Sequence, residues 1–493
     1  MKKYLYLILA TLAALTSACK KNNQTASIDM VKDSVYLYAK EDYLWYDALP
    51  DYNSFNPRSY MGSNDLAALQ GEVDAISQFK INPVTNYPYE YNSSNRGHAK
   101  YSFIDQGETS QVLSGNNGDF GFYPVYTPIS STDLRVRYVN PGSPAAAAGL
   151  HRGDLILSIA NVPGLDVNNT TDLNAITAAL SAKSIGMTLR RANGTTYAVN
   201  IAAANYTANP VMKDTVYNTS SGKKVGYLVF SVFTDSINAK PKLDAAFDYF
   251  INQGITDLVV DLRYNGGGYV STAEYLDNLI VPAAKSGAKM YTAFYNNKLQ
   301  NDQHPLLNTQ FNIKPGEFSQ ANNTVLFSKK KSLNLSSNRV IFIVTGRTAS
   351  ASELTINNLR PHMDVKLIGT KSYGKPVGFF NIPINRYQLY ITEFETKNAA
   401  NQGGYYAGMT PASADYPGYL SADDVTKDFG DPTEGLLSHA LSYIDVGTYA
   451  IASPKVESMG NTTLSVQQQN NLDGKLNDHA FNGMIFNSRM KRK

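Results

Sequence analysis

The sequence predicts an α/β fold with a largely parallel sheet, preceded by a β-rich module and a small, mostly helical N-terminal domain. Three observations predict it. From Lys224 onward, apolar strand-like runs alternate with amphipathic helical stretches. Before them, residues 104–205 carry short alternating stretches divided by Gly, Pro and Asn. Earlier still, Val31, Val35 and Tyr38 fall at i, i+4 and i+7, one face of a helix.

The 493 residues suffice for roughly three domains. With 43% hydrophobic and 17% charged residues, the chain is neither collagen-like nor wholly disordered. The net charge is +3, so the basic excess of a nucleic-acid binder is absent and no nucleic-acid partner is expected. Cys19 is the one cysteine, which excludes an internal disulfide and a Cys-based zinc site. The six histidines show no metal-ligand spacing, and no cofactor is expected.

Residues 1–18 read as an export leader: Lys2 and Lys3, then an apolar stretch from Tyr4 to Ala14 too short to span a bilayer comfortably. Leu15-Thr-Ser-Ala-Cys19 resembles a bacterial lipobox, although Thr16 stands where Leu or Val is usual. That resemblance implies lipidation of Cys19, a membrane partner through the lipid, and a lipid-anchored place in the bacterial cell envelope. Residues 19–27 are a polar tether. Residues 28–103 form the N-terminal helical domain, rich in Tyr and holding the only tryptophan, Trp45. Its aromatics are expected to pack it onto the next domain.

In residues 104–205, Asp133 to Val139 is a strand, Pro141-Gly-Ser-Pro144 a turn, Ala145 to Leu150 a short helix, and Asp154 to Ala160 a strand. In residues 206–447, strands run Val225 to Phe233, Asp257 to Leu262, Val340 to Thr345 and Val365 to Gly369. Helices run Lys242 to Asn252, Ser271 to Ile280 and Ser352 to Arg360. A late helix opens with Asp431 as N-cap, Pro432 at its first position and Glu434 three after the cap. Residues 448–493, Asn- and Gln-rich with a basic end, read as a solvated tail.

Two stretches carry candidate chemistry, and both lie at strand ends, where α/β proteins place their sites. Asp261-Leu-Arg-Tyr-Asn-Gly-Gly-Gly268 is a glycine-rich turn that lets a ligand approach the backbone. It lacks the Gly-Lys-Ser/Thr of a phosphate loop. Thr345-Gly-Arg-Thr-Ala-Ser-Ala-Ser-Glu353 links a buried strand to a helix. Ser350 at that helix N-terminus is either a nucleophile or a capping residue with Glu353 as its partner. A base is available in Lys375, just past the next strand; in a βαβ unit the two strand ends lie side by side. A lysine base must be neutral, and burial achieves that.

Together these motifs resemble the carboxyl-terminal processing (tail-specific) peptidases, PDZ-containing serine peptidases with a Ser–Lys dyad. The family's Asp-Leu-Arg-x-Asn-x-Gly-Gly run is residues 261–268, its Ser-Ala-Ser-Ala-Ser-Glu motif is Thr348 to Glu353, and its base motif is Ser372-Tyr-Gly-Lys375. Pro141-Gly-Ser-Pro-Ala145, Ala148-Gly-Leu150 and Gly153-Asp154 resemble its PDZ module, across residues 104–205. Two positions depart: Pro376 follows the lysine where Gly is common, and Phe379 stands where the family often has a base-orienting Gln.

The resemblance implies a crotonase/ClpP-like αβ peptidase core with an inserted PDZ domain. It implies Ser350 as nucleophile and Lys375 as base, with Phe120-Gly121-Phe122 holding a peptide's terminal carboxylate. An oxyanion would be held by the N–H of Ala351 and that of Gly267 or Gly268. Asp261 and Arg263 are expected to brace the glycine turn. The expected partners are polypeptides with accessible C-terminal tails. Two other readings stand beside this one. The chain is a peptide-binding lipoprotein with a weak or inactive site, or a Ser–His–Asp hydrolase using His362 or His439.

Overall fold

A six-stranded sheet forms the centre of the main body, and its central strands bury both faces. The computed structural model describes residues 27–450, 483–486 and 491–492. In the sheet the order is Val211–Asn218, Lys224–Phe230, Asp257–Asp261, Arg339–Val344, Asp364–Gly369 and Gly418–Leu420. The first pair is antiparallel and the others are parallel. Side chains alternate between the two faces of a strand. Leu258, Val260, Phe342 and Val344 turn to one face and share a core with the helices Ser236–Gln253, Val270–Ile280 and Ala351–Leu359. Val259, Ile341 and Ile343 turn to the other, against Leu436, Leu437 and Ala440 of the helix Gly435–Val446.

Two helices begin or are capped differently from the sequence reading. The Ser236–Gln253 helix starts ahead of Lys242, with Asp235 as its N-cap, and carries Pro241 in its second turn. A proline there forgoes one helical hydrogen bond, and the buried Leu243, Phe247 and Phe250 keep the helix in place. Gly254 ends it in a left-handed conformation, as expected. The late helix is capped by Glu434, not Asp431. Asp431 instead closes a local turn by accepting from Thr433 N–H at 2.8 Å, while Glu434 accepts from Leu437 N–H at 3.0 Å.

The β-rich module is a separate sheet of Phe122–Tyr126, Leu134–Val139, Leu155–Ile159, Ser184–Arg190 and Thr196–Ala202, with the helix Thr170–Leu180. It has its own core, including Leu134, Ile156, Ile176 and Leu189. Phe103–Asp105 does not belong to it, pairing instead with Tyr387–Tyr390 of the main body.

Residues 28–103 contain the helices Ile28–Asp42 and Asp65–Ser77. Val35, Leu69 and Ile76 enter the same core as the six-stranded sheet. Trp45 is buried and stacks on Tyr89, whose ring meets Tyr406. These aromatics therefore pack the N-terminal helices against the main body.

The leader, Cys19 and most of the tail lie outside the described residues. Among the described ones, no helix is long and apolar enough to cross a membrane. Residues 483–486 are not solvated: Met484 is fully buried and Ile485 nearly so. Apolar Met, Ile and Phe in succession outweigh the polar composition around them.

Candidate active site

The two motif stretches are knitted together at the ends of adjacent parallel strands. Leu262 N–H donates to Ile343 O at 2.9 Å, continuing the strand pairing past Asp261. Thr348 Oγ1 donates to Leu262 O at 2.8 Å, and Ser352 Oγ to Asn265 O at 2.9 Å. Ala349 N–H also bonds Asn265 O, at 3.1 Å. The hydroxyls flanking Ser350 are thus spent on the glycine-turn backbone.

Ser350 is buried and is the N-cap of the Ala351–Leu359 helix. Its φ of 58° and ψ of −104° are rare for a residue with a side chain, a conformation costing of order 1–3 kcal/mol that surrounding bonds must hold. The expected capping-box partner is in place: Glu353 Oε2 accepts from Ser350 N–H at 2.9 Å. Among the described residues, Ser350 Oγ has no close hydrogen-bond partner. The serine is therefore placed as a cap without its oxygen being committed to capping.

Glu353 does more than cap. Its Oε1 accepts from Ser372 Oγ at 2.5 Å and Gly374 N–H at 2.7 Å. Its Oε2 accepts from Lys375 N–H at 2.8 Å as well as from Ser350 N–H. One carboxylate oxygen thus joins the main chains of Ser350 and Lys375, whose nitrogens are under about 6 Å apart. Burial raises the Glu353 carboxyl, and these donors oppose that.

Lys375 is fully buried. Its Nζ donates to Tyr101 O at 3.4 Å and lies 4.0 Å from the centre of the Phe379 ring. Burial lowers its pKa to about 7, against the opposing pull of Glu90 and Glu353. The pocket is built from the N-terminal segment. Tyr101 Oη donates to Gly374 O at 2.6 Å, while Glu90 accepts from Tyr101 and Ser102 N–H at 3.1 and 2.8 Å. Glu353 was visible within its motif, but its bridging role was not. No local signal marked Glu90 or Tyr101, which reach Lys375 only through the fold.

The predicted oxyanion donors lie on the two motif stretches, Ala351 on one and Gly267 and Gly268 on the other. Ala351 opens the helix, where N–H groups lack intrahelical acceptors. Gly267 N–H donates to Asn265 Oδ1 at 2.9 Å, and Gly268 lies in a short strand, Gly267–Tyr269. Asp261 and Arg263 brace the turn from below. Arg263 bonds Asp261 at 2.7 Å, Glu434 at 2.8 Å and Asp423 at 2.7 Å. Burial would lower the Arg263 pKa, but these carboxylates hold it well above the ordinary value.

Phe120 and Phe122 put their side chains into the core of the β-rich module. Between them Gly121 has φ 79°, and a Cβ there would sit 2.0 Å from Ser143 Cβ, so only glycine fits. The strand Phe122–Tyr126 is at the sheet edge. Arg152 ties this module to the glycine turn, bonding Tyr264 Oη at 2.6 Å and Asp423 at 2.8 Å. Neither histidine joins the serine: His362 bonds Lys289 O at 2.9 Å, and the His439 ring packs on Tyr419.

Comparison with known proteins agrees with this geometry. Residues 224–411 match peptidase family S41, and residues 135–191 match a PDZ domain. A carboxyl-terminal-processing protease of Picosynechococcus is 26% identical over 251 residues, 49% of this chain and 51% of that one. A carboxy-terminal processing protease of Bacillus subtilis is 23% identical, over 52% of this chain and 47% of that one. The chain spans about half the length of these curated relatives. A solved S41-type structure from Bacteroides fragilis covers 83% of this chain and 96% of its own, with TM-score 0.56 and 22% identity, and bears on the fold alone. The chain thus carries a segment similar to peptidase family S41 and another similar to a PDZ domain, in line with the carboxyl-terminal processing family that its motifs resemble.

Proposed function

We propose that the chain is a membrane-tethered serine endopeptidase of the tail-specific class, working through a Ser350–Lys375 dyad. The observation that supports this reading is the shared Glu353 carboxylate, which accepts from the main-chain N–H groups of both Ser350 and Lys375, a buried lysine with its pKa lowered to about 7. At that value a large fraction of Lys375 is neutral at physiological pH, as a general base requires. Neutral Lys375 takes the proton from Ser350 Oγ, and the oxygen attacks a peptide carbonyl. The Ala351 N–H and that of Gly267 or Gly268 receive the developing oxyanion. Lys375 then protonates the leaving amine, and water releases the acyl group. The Lys375 Nζ–Ser350 Oγ hydrogen bond forms as substrate arrives, a tightening common in catalytic sites.

The edge strand Phe122–Tyr126 is the proposed dock for a substrate's C-terminal tail, which adds as a further strand. Its carboxylate is held at Phe120-Gly121-Phe122. Lipidation at Cys19 is the proposed tether.

The test is a mass-spectrometric digest of an unstructured protein with an apolar C-terminus, beside the Ser350→Ala variant. Cleavage by the wild type alone supports the reading. Equal cleavage by both, or tail-dependent binding without cleavage by either, contradicts it.

A further inference from the structure

Residues 483–486 lie in a groove between the two halves of the proposed dyad's framework. Gly483–Ile485 pairs in parallel with Gly267–Tyr269, in the register Gly267 to Gly483, Gly268 to Met484 and Tyr269 to Ile485. Gly483 N–H donates to Gly266 O at 2.9 Å. On its other edge, Phe379 N–H donates to Met484 O and Phe486 N–H to Phe379 O, both at 3.1 Å. The segment is thus a middle strand, bonded on one side to the glycine turn and on the other to the residue whose ring faces Lys375.

The walls are cut for a main chain at this position. A Cβ on Gly267 would lie 2.1 Å from Gly483 O and 3.1 Å from Ala349 O, the carbonyl just before Ser350. A Cβ on Gly378 would lie 2.4 Å from Met484 Cγ and 2.8 Å from Met484 O. Side chains at either position would close the groove. Met484 and Ile485 are buried, Ile485 beside Leu113, Phe379 and Tyr390. The Phe486 ring meets Phe394.

Building on the peptidase reading, we infer that this groove is the strand-binding site for substrate, and that residues 483–486 occupy it as a self-bound peptide. The ligand class follows from the occupant. It is an extended polypeptide running parallel to Gly267–Tyr269, with a small residue opposite Gly267 and large apolar residues at the next two positions. The self-bound strand competes with substrate, and apparent affinity falls by the fraction of molecules whose groove is open.

The experiment replaces Met484 and Ile485 with Asp in the full chain, and separately makes Gly483→Pro, a milder change that removes the bond to Gly266. The probe is a labelled heptapeptide of residues 481–487, Phe-Asn-Gly-Met-Ile-Phe-Asn. Binding is measured in a Ser350→Ala background, where no turnover intervenes. The expected result is tighter probe binding to both altered chains than to the parent, on the order of tenfold. With Ser350 intact, KM for an unstructured protein falls by a similar factor, and the heptapeptide restores it. If both altered chains unfold at lower temperature and neither gains affinity for the probe, the strand is a fixed part of the core and the inference is overturned. Probe binding without cleavage by any Ser350-containing chain leaves the groove assignment standing and removes the peptidase reading.

Discussion

Lys375 and Arg263 are both cationic by type and both withdrawn from water, at 0% and 1% exposure, yet their surroundings treat them in opposite ways. Arg263 is met by Asp261, Asp423 and Glu434, and its charge is reinforced. Asp423, in turn, is pushed up by burial but held down to about 2 by Arg152 and Arg263. Lys375 is met by a backbone carbonyl and an aromatic face at its Nζ, and its pKa drops to about 7. Burial is common to the two; the number of carboxylates within bonding reach decides the outcome. The cation among carboxylates holds the glycine turn, and the one against a carbonyl and a ring has its proton affinity lowered.

The largest expected difference between them is in catalysis. Lys375→Ala lowers peptide cleavage on the order of 10⁴-fold or more while the chain stays folded, as read by kcat/KM beside a melting curve. Arg263→Met acts on stability first. It takes the cation from the buried Asp261 and Glu434, while the partly exposed Asp423 keeps Arg152, and costs about 3–5 kcal/mol, read as a lower urea midpoint, with activity lost alongside.

The pH dependence of stability separates the two further. Lys375 releases its proton near 7 when folded, but near the ordinary lysine value of about 10.4 when unfolded. Between those values the unfolded chain binds more protons, so this residue makes stability rise with pH across that window. Lys375→Met removes that rise and makes the chain more stable near neutrality. Urea unfolding at a series of pH values checks both parts.

The smallest effect is expected at Phe379. Replacing its ring by Gln puts a hydrogen-bonding amide beside Lys375 Nζ, favours the ammonium, and moves the rising limb of the pH–rate profile upward by about one unit. An unchanged profile would mean that the ring does not set the lysine's proton affinity.

The same contrast explains what was legible in the sequence. The strands from Asp257 to Gly369 were readable because apolar runs bounded by glycine turns are local patterns. Ser350 and Lys375 were readable through their motifs and the side-by-side ends of a βαβ unit. The pocket that lowers Lys375 was not, because Tyr101 and Glu90 arrive from hundreds of residues away by way of the shared N-terminal core. The Arg263 partners Asp423 and Glu434 were missed for the same reason, and Glu434 was misread as part of a capping box. Residues 483–486 were hidden differently: four apolar-compatible residues in a polar stretch carry too little periodicity to read as a strand.

The measurement that tests the central claim most directly is kcat/KM for an unstructured protein from pH 5 to 9, in the wild type and in Lys375→Ala. A Lys375 base gives a single rising limb in the wild type with its midpoint near 7, and no such limb in the variant. A rate still climbing without a midpoint at pH 9, or full activity in Lys375→Ala, would contradict it.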